Sequence, residues 1–305
     1  MAVLDASTAL VEGPWEHRMV AAGGARFHVA EAGEGPLVLL LHGFPQFWWT
    51  WRHVIPALAS AGVRAVAMDL RGYGASDKPP RGYDPATLAS DVVGVVRALG
   101  AADAVVVGNG LGGLLGWTAA VAYPKQVRGL VAIGAPHPLR FRAAVGRDPA
   151  QLAVSRHVLG FQLPLLPERR LVEDDAAYVG HLLRAWSAQP PADEVVETYR
   201  QAMRIAGVAH SSLEYSRWAV RSLVRPDGAR YARGMRVPVK APVLHLHGAE
   251  DHAVLSRTAA GSAAHVTGYY RWQLVPGAGH FVQEEAPEVV VREVLAFLGE
   301  QGLVA

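Results

Sequence analysis

The chain contains no cysteine. Disulfides, thiolate metal sites and a cysteine nucleophile are therefore excluded, because each needs a sulfur atom. Lysine is nearly as scarce, confined to Lys78, Lys125 and Lys240, so the basic residues are almost all arginine. Lys+Arg 29 against Asp+Glu 27 leaves a net charge of only +2, with no dense basic run. That balance argues against nucleic acid as a partner. No apolar stretch reaches the roughly 18 residues that a membrane-spanning helix needs. The first residues include Asp5, Glu12 and Glu16 and lack the apolar core of a signal peptide. The expectation is a cytoplasmic protein.

What is present is a rhythm. Short apolar runs alternate with longer amphipathic stretches, the pattern of strands and helices in a mostly parallel sheet. The runs at 37–41, 63–69, 104–107, 127–133, 242–247 and 269–275 read as strands. Two more, near 18–22 and 26–30, flank Gly23-Gly24 and read as an antiparallel hairpin. Helices fit 51–61, 85–99, 111–122, 256–266 and 287–298, with Pro85 and Pro287 in the first turn, where proline is tolerated. From about 139 to 239 the rhythm breaks into helical patterns rich in Arg and Leu, with no convincing strand. The division expected is a core formed by 1–138 and 240–305, with 139–239 inserted as a helical cap.

Three places carry chemistry. Val105-Val106-Val107-Gly108-Asn109-Gly110-Leu111-Gly112-Gly113 reads as a buried strand, a turn of small residues and a helix start. This is the layout of the nucleophile elbow, G-x-Nuc-x-G, in which a tight turn lifts a reactive side chain above the sheet. The Nuc slot here is Gly110, which has no side chain. The same glycines satisfy the dinucleotide fingerprint G-x-G-x-x-G, but that site needs an acid about 20 residues on for the ribose. No Asp or Glu occurs between Asp103 and Asp148, so no nucleotide cofactor is expected.

His42-Gly43-Phe44-Pro45 follows the strand at 37–41. A turn there is either an ordinary strand-to-helix connection with a buried histidine or an oxyanion loop, with Phe44 and Leu111 supplying backbone N–H donors. Asp251 follows the strand at 242–247, and His280 follows 29 positions later, after the next strand. A carboxylate and an imidazole at neighbouring strand ends can meet above the sheet, the Asp orienting the His as a base. The bland alternative makes Asp251 a helix cap and His280 a loop residue. His210 and His265 read as helical surface positions.

Longer motifs carry a family resemblance. His42-Gly43-Phe44-Pro45-Gln46-Phe47-Trp48-Trp49-Thr50-Trp51-Arg52, Asp69-Leu70-Arg71-Gly72-Tyr73-Gly74-Ala75-Ser76-Asp77-Lys78-Pro79, Ala135-Pro136-His137-Pro138 and Phe161-Gln162-Leu163-Pro164 occur in that order. Over roughly residues 15 to 300 the chain resembles the α/β-hydrolase superfamily, in its epoxide hydrolase and haloalkane dehalogenase branch. The resemblance implies an α/β-hydrolase fold: a mostly parallel eight-stranded sheet flanked by helices, with an inserted helical cap. In that family an Asp attacks the epoxide and forms an ester, a His–Asp pair activates water to cleave it, and two cap tyrosines hold the epoxide oxygen.

Carried over residue by residue, Asp251 and His280 match the pair and Phe44 the oxyanion loop, while the nucleophile position falls on Gly110. The first cap tyrosine falls on His157 and the second on Ser216, with its neighbour Tyr215 able to slip into that role. The expected function is hydrolysis of a small apolar ester, lactone or epoxide held under the cap, by water that His280 and Asp251 activate. His157 is the candidate acid. A ligand-binding protein without turnover and a His-base isomerase or lyase are the alternatives. No metal or other cofactor is expected.

Overall fold

The computed structural model describes residues Val3 to Leu303. Residues 1–2 and 304–305 of the expected core lie outside the described residues. Eight strands form one sheet: β1 (Glu16–Ala22), β2 (Ala25–Ala32), β3 (Leu37–Leu41), β4 (Arg64–Met68), β5 (Ala104–Asn109), β6 (Val127–Ile133), β7 (Val243–Gly248) and β8 (Tyr270–Val275). Their order across the sheet is β1-β2-β4-β3-β5-β6-β7-β8. β1 and β2 pair antiparallel, as the Gly23-Gly24 hairpin predicts, and β2 meets β4 antiparallel. The pairs from β4 to β8 are parallel. Continuous apolar runs suit the middle of such a sheet because helices cover both faces. All five residues of β3 are accordingly buried.

The helices joining the strands are α1 (Val54–Ser60), α2 (Pro85–Ala98) and α3 (Leu111–Ala122). The stretch between β6 and β7 holds helices and no strand of the sheet: α4 (Pro138–Arg147), α5 (Pro149–Val154), α6 (His157–Gly160), α7 (Leu166–Trp186), α8 (Asp193–Met203), α9 (Val208–Arg221) and α10 (Pro226–Gly234), with one 3-10 turn before α10. After β7 come α11 (Ser256–Ala260), α12 (Val282–Glu285) and α13 (Pro287–Glu300). Two expected helices begin or end differently. The helix expected at 51–61 is a 3-10 turn at Trp48–Trp51 followed by α1, and 256–266 breaks at Gly261 into α11 and a second 3-10 turn.

Local chemistry explains the element that matters most. α2 starts where the Asp84 carboxylate accepts the Thr87 N–H and Pro85 occupies the first turn. α3 has no side-chain cap. It lies so close to β3 and β5 that a Cβ on Gly112 would stand 2.3 Å from the Leu41 carbonyl oxygen, and one on Gly108 2.4 Å from Gly112 backbone. The glycines of this motif therefore let a helix start directly against the sheet. No helix among the described residues is long and apolar enough to cross a membrane.

Candidate active site

The site lies at the C-terminal ends of β3, β5 and β7, where loops gather in open α/β sheets. Gly110 joins β5 to α3 with φ 51 and ψ −112, in a region that side-chain-bearing residues rarely enter. Its N–H donates to the Ile133 carbonyl at 2.9 Å and its own carbonyl accepts from Leu114 N–H at 3.0 Å, so the turn is held at both ends. The preceding Asn109 points inward: its amide Nδ2 donates to the carbonyls of His280 at 2.8 Å and Ile133 at 3.2 Å.

Asp251 sits just after β7, and both sequence readings of it hold together. Its Oδ1 caps the following turn, accepting from the N–H groups of Ala253 and Val254 at 2.8 Å each. Its Oδ2 accepts from His280 Nδ1–H at 2.8 Å. Burial alone would raise the carboxyl, but the His280 imidazole and the Val254 N–H hold it below the ordinary carboxylate range. His247 Nε2, 3.7 Å from Asp251 Oδ2, completes the pocket around the carboxylate. Burial lowers the pKa of His247 despite the attraction of Asp251.

With Nδ1–H committed to Asp251, neutral His280 presents a bare Nε2 lone pair. That nitrogen faces the elbow, 2.9 Å from where a Cβ on residue 110 would stand. The backbone of His280 is pinned on both sides, donating to the Trp186 carbonyl at 2.8 Å and accepting from Asn109. Gly134, at φ 58, leaves room for the pair, since a Cβ there would lie 3.2 Å from His280 Nδ1 and 3.3 Å from Asp251 Oδ2.

The loop after β3 reaches the same place. A Cβ on Gly43 would stand 3.0 Å from the Asn109 carbonyl oxygen and 3.5 Å from Leu111 N. His42 braces this loop from beneath: Nδ1–H donates to the Gly43 carbonyl at 3.0 Å and Nε2 accepts from Leu70 N–H at 3.1 Å. Burial lowers its pKa and keeps it neutral. Neither Phe44 N–H nor Leu111 N–H donates a hydrogen bond among the described residues.

Aromatic rings close the site from the helical insertion. Phe44 lies edge-on to Phe161, centroids 5.5 Å apart, and Trp186 packs on His280 at 5.8 Å. His157 joins this cluster, 5.1 Å from Trp186. Its Nδ1–H donates to the Val154 carbonyl at 3.2 Å and burial lowers its pKa, so it carries an accepting Nε2. In that tautomer the proton of His157 is engaged by the Val154 carbonyl. Tyr215 is turned elsewhere: its hydroxyl donates to the Arg71 carbonyl at 2.6 Å, and its ring packs between Tyr73 and Tyr83. Half-buried Ser216 contributes only its carbonyl, which accepts from Gln162 at 3.4 Å. Sequence reasoning missed Asn109, His247, Gly134 and Trp186 as supports of the dyad. Of these only Asn109, inside the elbow motif, gave a signal.

No three or more His, Cys, Asp or Glu side chains are grouped to hold a metal ion among the described residues. The profile of the α/β hydrolase fold matches residues 36–287. Epoxide hydrolase 4 of Mus musculus is 33% identical over 288 residues, covering 91% of this chain and 77% of that protein. Epoxide hydrolase 3 of Xenopus tropicalis is 34% identical, covering 92% and 77%. Among solved structures, the epoxide hydrolase CorEH without ligand superposes with a TM-score of 0.84 at 27% identity, covering 94% of this chain and 99% of that one. With a mostly parallel sheet, an elbow at the end of β5 and a His–Asp pair above it, the chain belongs to the α/β-hydrolase fold family, in its epoxide hydrolase branch.

Proposed function

We propose that this protein is a hydrolase without a covalent intermediate, in which His280 activates water against a small apolar ester or lactone. The observation that supports this reading is the His280 Nε2 lone pair aimed at an elbow whose residue, Gly110, has no side chain to attack with. Asp251 orients the ring and stabilises the imidazolium formed on proton transfer. The N–H groups of Phe44 and Leu111 receive the oxyanion. Residues 139–239 act as the cap over a core of 1–138 and 240–305.

An epoxide is a poorer fit than an ester. In ester hydrolysis water adds to the carbon that the leaving group then departs, so one imidazole can take a proton from water and return it to the leaving oxygen. Backside opening of an epoxide develops its alkoxide on the far face, which needs a separate acid. Tyr215 is turned to Arg71, Ser216 has no acidic hydroxyl, and His157 presents a lone pair.

A ligand-binding protein without turnover is the second reading, favoured by the aromatic closure that leaves His280 only 5% exposed. The isomerase or lyase reading has no observation of its own beyond the base. An ester and lactone panel in H₂¹⁸O separates them. Turnover that places ¹⁸O in the product acid, leaves no label and no adduct on the protein by mass spectrometry, and vanishes in His280→Ala supports the hydrolase. Label entering the protein, or rates independent of His280, would reject it.

A further inference from the structure

A cavity of about 450 Å³ runs from the elbow between core and insertion. It touches the site at Leu111 and continues along Leu114, Leu115, Leu139, Phe141 and Val158, apolar on nearly every side. Its volume suits a small-molecule site. Its wall reaches the surface at Leu152, Leu159 and Leu223, which are 43%, 57% and 53% exposed. Clustered exposure of large apolar side chains is unusual unless the surface receives something.

The cavity adjoins a wider groove of about 950 Å³. The two share Tyr83, Pro85, Thr118, Trp218 and Tyr231 as walls, with Thr118 Oγ1 and Tyr231 Oη hydrogen-bonded at 2.9 Å where they meet. The groove has the opposite chemistry. Arg81, Arg221, Arg225 and Arg230 line it, against Asp84, Glu214 and Asp227. Of the acids only Glu214 is ion-paired, with Arg217 at 3.1 Å and Arg221 at 3.7 Å; Asp84 caps α2 through Thr87 and Asp227 accepts from Gly228 N–H, and both keep their charge, leaving the basic side in excess. Arg81, Arg225 and Arg230 have no salt-bridge partner among the described residues. An oily channel therefore ends beside three free guanidinium groups.

We propose that cavity and groove form one site for a long-chain carboxylate, with its tail along Leu114, Leu115 and Val158 and its head on Arg81, Arg225 and Arg230. The site changes the substrate of the hydrolase reading from a small apolar ester to a long chain that carries a carboxylate at its far end, and rests on that reading for direction alone: the chain end near Leu111 is where a scissile ester or lactone carbonyl meets His280. Guanidinium groups match carboxylate geometry and would select against uncharged chains of the same length.

Calorimetric titration with laurate and with 1-dodecanol tests this. Laurate should bind about tenfold more tightly, the sum expected of three exposed charge contacts. The triple variant Arg81→Gln, Arg225→Gln, Arg230→Gln should erase that difference while keeping dodecanol affinity. Leu114→Trp or Val158→Trp, which fill the channel from opposite sides, should weaken both ligands. His280→Ala should leave laurate binding within about twofold, so a failed hydrolase reading and a failed site are distinguishable. Equal affinities, an unaffected triple variant, or no binding of either chain would overturn the proposal. Co-sedimentation with phosphatidylglycerol vesicles that the triple variant abolishes, without laurate binding, would assign the arginines to a lipid surface instead. Loss of laurate binding in His280→Ala would place the head at the dyad and overturn the assigned direction.

Discussion

Gly110→Ala should be destabilising, for two separable reasons. At φ 51 and ψ −112 any side chain strains the backbone, at a cost of about 1–3 kcal/mol. The new Cβ would also lie 2.9 Å from His280 Nε2, closer than carbon and nitrogen tolerate. The imidazole has little freedom to retreat, because Asp251 holds Nδ1 at 2.8 Å while Asn109 and Trp186 hold the backbone. Gly277→Ala supplies the control: its φ is 72, but a Cβ there meets nothing within 4 Å. Urea denaturation followed by circular dichroism should place Gly110→Ala below Gly277→Ala, which has a positive φ but no contact with an imidazole. Turnover should fall as Nε2 is pushed off its line. Gly110→Asp meets the same contact, so installing a carboxylate should yield far less than full epoxide turnover. Equal or higher stability for Gly110→Ala would show that the elbow and the imidazole are not packed as described.

Asp251→Asn should cut hydrolysis by roughly 10²–10⁴-fold, since the amide neither stabilises imidazolium nor fixes the tautomer; steady-state kinetics with the ester found in the panel decides it. Tyr215→Phe leaves the buried Arg71 carbonyl unpaired, which should cost about 1–3 kcal/mol in chemical denaturation with kcat retained; a large loss of kcat would return Tyr215 to the catalytic set. His137 is buried and stacked on His265 at 3.9 Å, and burial lowers its pKa to about 3. The unfolded chain binds a proton at this residue below about pH 6.5 and the native state does not, so stability should fall with falling pH across that window, by roughly 1.4 kcal/mol per pH unit from this residue. His137→Asn should reduce the slope of stability against pH by about one proton; an unchanged slope refutes it.

The sheet was legible because its central strands are buried on both faces and spell themselves as continuous apolar runs; 37–41 and 127–133 coincide with β3 and β6 to the residue. Boundaries were less legible where local turn chemistry competes. Trp48–Trp51 forms a 3-10 turn because Asp69 accepts Trp48 N–H from 21 positions away, a tertiary contact that no window of sequence contains. Edge strand β8 starts one residue late, at Tyr270.

The site divides along the same line. Gly110 directly follows β5, and Asp251 and His280 lie in the short loops after β7 and β8, so the order of the sheet brings them together and their spacing was sufficient. The cap positions hang on helices whose rotation is set by packing, and counting residues cannot supply it. That is why Tyr215 and Ser216, adjacent in sequence, face a carbonyl of the core and a glutamine of the insertion. Apart from Asn109, supports of the dyad were hidden for a different reason: Gly134 acts through empty space and Trp186 through its carbonyl. Backbone groups and missing atoms carry no letter of their own. So many contacts on the dyad fix His280 and Asp251 without any side chain at position 110, which is the alignment that the proposed attack by water requires.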